Sequence, residues 1–312
     1  MPFSYTTSDL ITSIKGRGDV PTSQNTFQNS DFLRFATEVI HSSIVPMLLA
    51  AQEGYYDYNI DQSFVSGQQN YAIPTRAIGA GGYDVQSISE GGTIFQIPYV
   101  ERTAVISNVA TSYQFFRGTW SYYVEGNDIV VTPAPAVTDQ TSTLRIVIRL
   151  RPGKLVETSS CAQISSINTG TNTITVSSIP STWSTGTVLD LLQQTPHYRY
   201  KAIDQTSTLI SGTSITFASL PSAPNTLAVG DWVALQGESP VIQVPHEMIP
   251  LVSEMTVYQV LKAKGDQAGM KVSQENIERM KKDAMVLIEP RFKASTKKIV
   301  NRNRFDLSQR YW

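Results

Sequence analysis

The sequence predicts an α+β fold. A helical bundle, built from a long N-terminal helix and a C-terminal helix pair, carries an inserted β-rich hairpin region and a small β-barrel or sandwich, and an extended C-terminal arm follows. Three observations lead there. Apolar residues recur at helical spacing near both ends of the chain, in 30–54 and in 245–290. Between 57 and 156 the apolar period falls to two. From 160 to 244 short apolar runs alternate with Gly, Pro, Ser and Asn, at a strand spacing of about ten residues that fits a barrel or sandwich.

The elements follow in order. "TTSDLITSIKG" reads as a short helix with Thr7 or Ser8 as cap, a stripe of Leu10, Ile11 and Ile14, and Gly16 as its stop. The loop after it contains Arg17-Gly18-Asp19, a tripeptide too short to imply adhesion. "SDFLRFATEVIHSSIVPMLLAAQEG" is the first long helix, capped by Ser30 and striped by Phe32, Phe35, Ala36, Val39, Ile40 and Ile44. Pro46 lacks a backbone donor and is expected to kink it. Strands are expected in "QQNYAIP" and "GGTIFQIPYV", and "SYYVEGNDIVVTPAP" is a hairpin turning at Gly126-Asn127. In "TLRIVIRL" Leu144, Ile146, Ile148 and Leu150 take one face; Arg145, Arg149 and, just beyond, Arg151 take the other. Helix returns after Pro245, with Pro250 in its first turn and Gly265 at its end. A last helix is expected from Ser273, stapled by Val272 and Ile277, striped by Ile277, Met280, Ala284, Leu287 and Ile288, and closed by Pro290.

The units are therefore an N-terminal arm with the first long helix (1–56), a β-rich insertion (57–158), a small barrel or sandwich (159–244), a helix pair packing back on the first helix (245–290) and a docking arm (291–312). Neither end buries its apolar stripe alone, so the helices of both ends are expected to pack together.

Composition narrows the function classes. Only 16% of the 312 residues are charged, and Ser, Thr, Gln and Asn fill the gap, which suits broad polar contacts. Residues 261–312 hold 13 Lys or Arg against 6 Asp or Glu, a balance of +7 that leaves −8 on the rest. Cys161 is the single cysteine, which rules out an intrachain disulfide and reads as a small buried hydrophobe. His41, His197 and His246 are scattered, so no zinc spacing appears. "IGAGGYD" runs on into β-like sequence and reads as a turn, because a phosphate loop must open a helix. No leader peptide is expected from "MPFSYTTSDL", and no membrane span from the apolar runs. Neither a cofactor nor catalysis is expected.

The final 22 residues carry Arg291, Lys293, Lys297, Lys298, Arg302, Arg304 and Arg310 against the single acid Asp306, together with Phe292, Phe305, Tyr311 and Trp312. Arg and large aromatics are the residues that anchor protein interfaces, and the same mixture suits single-stranded nucleic acid; the protein groove is the favoured partner. Arg145, Arg149 and Arg151 are candidates for a contact with a neighbouring subunit or with DNA.

Four stretches carry a family resemblance: "FATEVIHSSIVPMLLAAQEGYYDY", "SGQQNYAIPTRAIG", "YYVEGNDIVVTPAPAVTDQTSTLRIVIRLRPGKLV" and "VIQVPHEMIPLVSEMTVYQVLKAKGD". Together they span most of 30–290, and the chain resembles the head-to-tail adaptor, or connector, proteins of short-tailed bacteriophages. The segment 160–244 is larger than the smallest adaptors need. The resemblance implies a structural virion protein of the neck, made in the host cytoplasm. It would form a ring, commonly of twelve copies, that joins portal protein to tail and extends the DNA channel. Its implied partners are the portal, neighbouring copies of itself, tail nozzle or fibre proteins and, transiently and without sequence preference, genomic DNA; no membrane is implied. The 291–312 arm would reach onto the portal. A tail hub, collar or fibre-anchoring role remains open, as does a carbohydrate-binding or enzymatic tail component.

Overall fold

The structure is a computed structural model and describes residues 5–20, 26–52, 54–79, 83–103, 120–136, 141–194 and 199–288. It mixes α and β. Helix α1 (Thr7–Arg17) is capped by Thr6, whose N–H donates to the Asp9 carboxylate at 2.8 Å while its hydroxyl accepts from the Asp9 N–H at 3.5 Å. Thr7, one of the two caps expected from sequence, is buried and used elsewhere: its N–H donates to the Pro240 carbonyl and its hydroxyl to that of Val156. The helix runs past Gly16, and Gly18 caps its end. Leu10, Ile11 and Ile14 are buried as expected, at roughly 1.5–3 kcal/mol each. An eleven-residue helix is unstable alone and depends on that burial.

The first long helix is continuous but not uniform. Helix α2 (Asn29–Val39) passes through a π turn (Ile40–Ile44) into α3 (Val45–Ala51). Ser30 lies inside the helix; the start is held by the Gln28 N–H donating to the Asp31 carboxylate at 3.0 Å. Where the sequence points to a kink, the wide turn lets the Val45 N–H reach back to the Ile40 carbonyl just before Pro46. The looser turn accommodates a proline ring that would crowd an α-helical carbonyl. An 18-residue window of Asn29–Ala51 has mean hydropathy 1.3, so by length and composition this helix could cross a membrane, contrary to the reading from sequence. In the fold, its Phe32, Leu33, Ala36, Val39, Ile40, Ile44 and Leu48 are buried.

They are buried in one cluster with α1 and with helix α4 (Ile249–Lys264), which contributes Ile249, Leu251, Val252, Val257 and Val260. Gly265 closes α4 in the left-handed region at φ 75°. Helix α5 (Gln267–Ile288) begins six residues before the expected cap. Asp266 takes the Gly269 N–H at 3.0 Å, while Ser273 is buried mid-helix and donates to the Glu254 carbonyl. Val272 is exposed, so no staple forms there. Ile277 and Ala284 are buried, Met280 and Ile288 partly so, and Leu287 faces solvent.

Between the helical segments lie two antiparallel sheets. One has the order β1 (Asp57–Ser63), β7 (Thr143–Arg149), β3 (Asp84–Ile88), β4 (Ile94–Ile97). The other is β2 (Asn70–Ala72), β6 (Asp128–Thr132), β5 (Ser121–Glu125), and β5 and β6 form the expected hairpin with Gly126 at φ 61°. In β7 Leu144, Ile146 and Ile148 are buried and the intervening residues half-buried. A short parallel pair, β8 (Lys154–Leu155) with β15 (Glu238–Ser239), joins the chain where it leaves the sheets to the chain where it leaves the barrel.

The barrel is closed: β9 (Ala162–Asn168), β10 (Thr173–Val176), β13 (Ser214–Phe217), β12 (Tyr200–Ser211), β11 (Val188–Leu192), β14 (Trp232–Leu235) and back to β9. Closure removes exposed strand edges. Ile164, Ile174, Trp183, Leu189, Leu191, Ile215, Phe217 and Val233 fill it. Its outer residues Leu192, Tyr200, Ile203, Trp232 and Ala234 share a core with the sheets.

Candidate functional site

The barrel is fastened to the sheets by a buried ionic knot. Arg76, in the loop after β2, reaches Asp190 on β11 at 2.7 Å. Asp190 is fully buried and also accepts from the Asp204 N–H at 2.9 Å and the Gly237 N–H at 2.8 Å. The guanidinium lies 4.8 Å above the Tyr200 ring and 3.6 Å from the Asp204 carboxylate. Burial raises the Asp190 carboxyl above its ordinary value, opposed by Arg76 and by the two N–H donors. Beneath, the Tyr200 hydroxyl sits so close to Gly153 that a Cβ there would meet it at 2.6 Å.

Beside this knot the sheet and the barrel enclose a cleft of about 720 Å³. One wall is Tyr55, Asp57, Tyr58, Asn59 and Asp61 of β1 and the turn before it, with Arg145 of β7. The other is Lys201 and Gln205 of β12, Arg199 just before that strand, and the loop 219–225. Period-two alternation explains part of the second wall: Tyr200 is buried at the start of β12, so Lys201 next to it points away from the core, and Arg199 lines the cleft just before the strand. Burial pushes the Tyr55 phenol up to about 12, with Arg199 opposing the shift and Glu247 adding to it. Among the described residues no carboxylate forms an ion pair with Arg199 or Lys201.

The three candidate arginines of the sheet do not form one free basic face. Arg145 donates twice to Asp61, at 2.7 Å each, across the β1–β7 pair. Arg149 stands in register with Asp57 and is half-buried. Arg151 is exposed just past the strand, its N–H on the Arg76 carbonyl. The arm residues Arg291, Phe292, Lys293, Lys297, Lys298, Arg302, Arg304, Phe305, Arg310, Tyr311 and Trp312 lie outside the described residues, as do His197 and Pro290.

The other singled-out residues have local partners. His41 is half-buried with Nε2 at 3.0 Å from the Pro152 carbonyl, and burial lowers its pKa. The ring of His246 packs edge-on against Tyr5. Cys161 is buried, and burial pushes its thiol up to about 12. Arg17 of the tripeptide pairs with Glu254 at 3.4 Å. After "IGAGGYD" the chain enters β3, not a helix. Among the described residues no group of three His, Cys, Asp or Glu side chains stands close enough to hold a metal ion.

Sequence reasoning did not find the cleft or the knot. Arg76 and Asp190 are 114 residues apart, and no local pattern links them. Tyr122 and Tyr200 are both buried.

Large apolar side chains are exposed at several places besides Val65, Val124 and Val272. Ile94 and Phe95 lie on edge strand β4 with Tyr99 just after it; Leu209 and Val229 belong to the barrel strands and loops; Val286 and Leu287 lie in the last turn of α5. No protein-family profile and no curated protein matches this chain. Among solved structures it is similar to the group B streptococcus pilus 2b backbone protein at 13% identity and a TM-score of 0.18, covering 61% of this chain and 87% of that one. That likeness is too slight to carry an argument about fold or function.

Proposed function

We propose that this protein is a structural subunit of a bacteriophage virion, a head-to-tail adaptor that assembles as a ring between portal and tail and extends the DNA channel, without catalysis. In this reading the helices of both chain ends act as one bundle that aims the 291–312 arm at the portal. The β insertions supply the contacts with neighbouring copies and with tail components, and a ring of about twelve copies follows the family resemblance.

The observation that carries the reading is the end of α5. Val286 and Leu287 are 55% and 65% exposed, and the next 25 residues are basic and aromatic. Two large apolar side chains left mostly exposed at a helix end, followed by a segment rich in Arg and large aromatics, have the composition of an interface anchor. The exposed Ile94 and Phe95 on β4 add a second sticky edge of the kind that soluble monomers keep small.

The test is co-sedimentation of the purified protein with the portal ring of the same phage. Binding is expected, and loss of binding on deletion of 291–312. No affinity for the ring, or affinity that survives the deletion, would overturn the proposal.

A further inference from the structure

We infer that the cleft between sheet and barrel binds a short acidic oligosaccharide, with Arg199 and Lys201 meeting its carboxylates. The inference goes beyond the adaptor reading and does not depend on it. Its volume of about 720 Å³ lies in the range typical of small-ligand sites, roughly 300–1,000 Å³. Lys201 on β12 and Arg199, just before that strand begins, both line the cleft, so the two cations face the same space. Each lacks an acidic partner among the described residues, whereas Arg145 across the cleft is already held by Asp61. Two adjacent cations kept from the nearest acids leave a positive wall that an anion would neutralise.

The rest of the lining chooses among anions. Asn59 and Gln205 each offer a donor and an acceptor, the pair that vicinal hydroxyls satisfy. The half-buried rings of Tyr55 and Tyr58 give flat apolar surface beside them. Asp57 and Asp61 stand on the same wall, exposed. Their negative charge opposes anions of every kind on that wall, so the anion-binding side of the cleft is the one with Arg199 and Lys201. An acidic sugar chain supplies both carboxylates for the cations and hydroxyls for the amides.

The experiment is isothermal titration of the full chain with tetragalacturonate, with a neutral tetrasaccharide, a polyglutamate peptide and a short oligothymidylate as comparators. Saturable binding of the uronide is expected, weakened by salt and reduced about tenfold or more in the Arg199→Ala, Lys201→Ala double variant. Neither side chain is part of the core, and the charge-preserving swap Arg199→Lys with Lys201→Arg is expected to bind within a few-fold of the parent. Failure of the uronide to saturate, binding unchanged in the double variant, equal binding of the neutral sugar, or tighter binding of either polyanionic comparator would each overturn the inference. Loss of portal binding leaves all four outcomes untouched, so the two proposals fail separately.

Discussion

Replacing Arg76 with Met is expected to destabilise the barrel and its junction with the sheets by about 3 kcal/mol. Asp190 is fully buried and the Arg76 side chain is 14% exposed, so solvent screens the pair only modestly. Removing one partner of a buried ion pair typically costs about 3–5 kcal/mol, because the other charge stays behind. Three features place this case at the lower end. Asp190 keeps the N–H bonds from Asp204 and Gly237; Asp204, at 3.6 Å and partly exposed, adds little; and Arg76 Nη2 is buried without a hydrogen-bond partner, so the native pair is itself imperfect. The loss should be read from urea unfolding followed by tryptophan fluorescence, since Trp183 and Trp232 are buried in or against the barrel. The double variant Arg76→Met, Asp190→Asn should recover at least about 1 kcal/mol, because it removes the stranded charge. The pH dependence has a definite sign. Burial raises the folded-state pKa of Asp190 above its unfolded value, and loss of Arg76 raises it further. The penalty is therefore full above the folded pKa and shrinks as pH falls through it toward the ordinary carboxylate value. A single variant that costs less than about 1 kcal/mol, or a double variant no more stable than the single, would refute the reasoning.

Two further outcomes follow from the same core. Cys161 is buried with its thiol pushed up to about 12, so the native protein should leave a thiol reagent unreacted at neutral pH while the urea-unfolded chain reacts in full; fast native labelling would contradict the burial. Gly153→Ala should cost about 1–3 kcal/mol, because its Cβ would meet the Tyr200 hydroxyl at 2.6 Å and Glu238 backbone atoms at 3.1 and 3.2 Å. A melting temperature equal to the parent's would show that the Tyr200 ring can move aside.

What could be read from the sequence was whatever one segment decides by itself. Leu144, Ile146, Ile148 and Leu150 alternate because one side of β7 is core, and Gly126-Asn127 turns because a tight hairpin demands it. The barrel strands were readable as short runs, yet Tyr200–Ser211 is one twelve-residue strand, in which Asp204 at φ 56° and shifts in register bend the chain without ending it. Caps were the weakest readings because serines and threonines have rivals for their hydroxyls. Thr7 bonds to a distant carbonyl and Ser273 to a neighbouring helix, while Thr6 and Asp266 do the capping. The cleft was unreadable because its walls come from β1 and β12, which meet only after the barrel docks.

The shared core of α1, α2 and α4 has a consequence for synthesis. Leu10, Phe32, Ile40 and Leu48 leave the ribosome roughly 200 residues before Ile249–Lys264, which at about 5–20 residues per second is a wait of roughly 10–40 s. The barrel, complete within 162–235, has all its strands in hand before that wait ends. A nascent chain stalled before Ile249 therefore carries a greasy helical face that lacks its main cover, and that fragment, rather than the finished subunit, is the form that chaperones and proteases must handle.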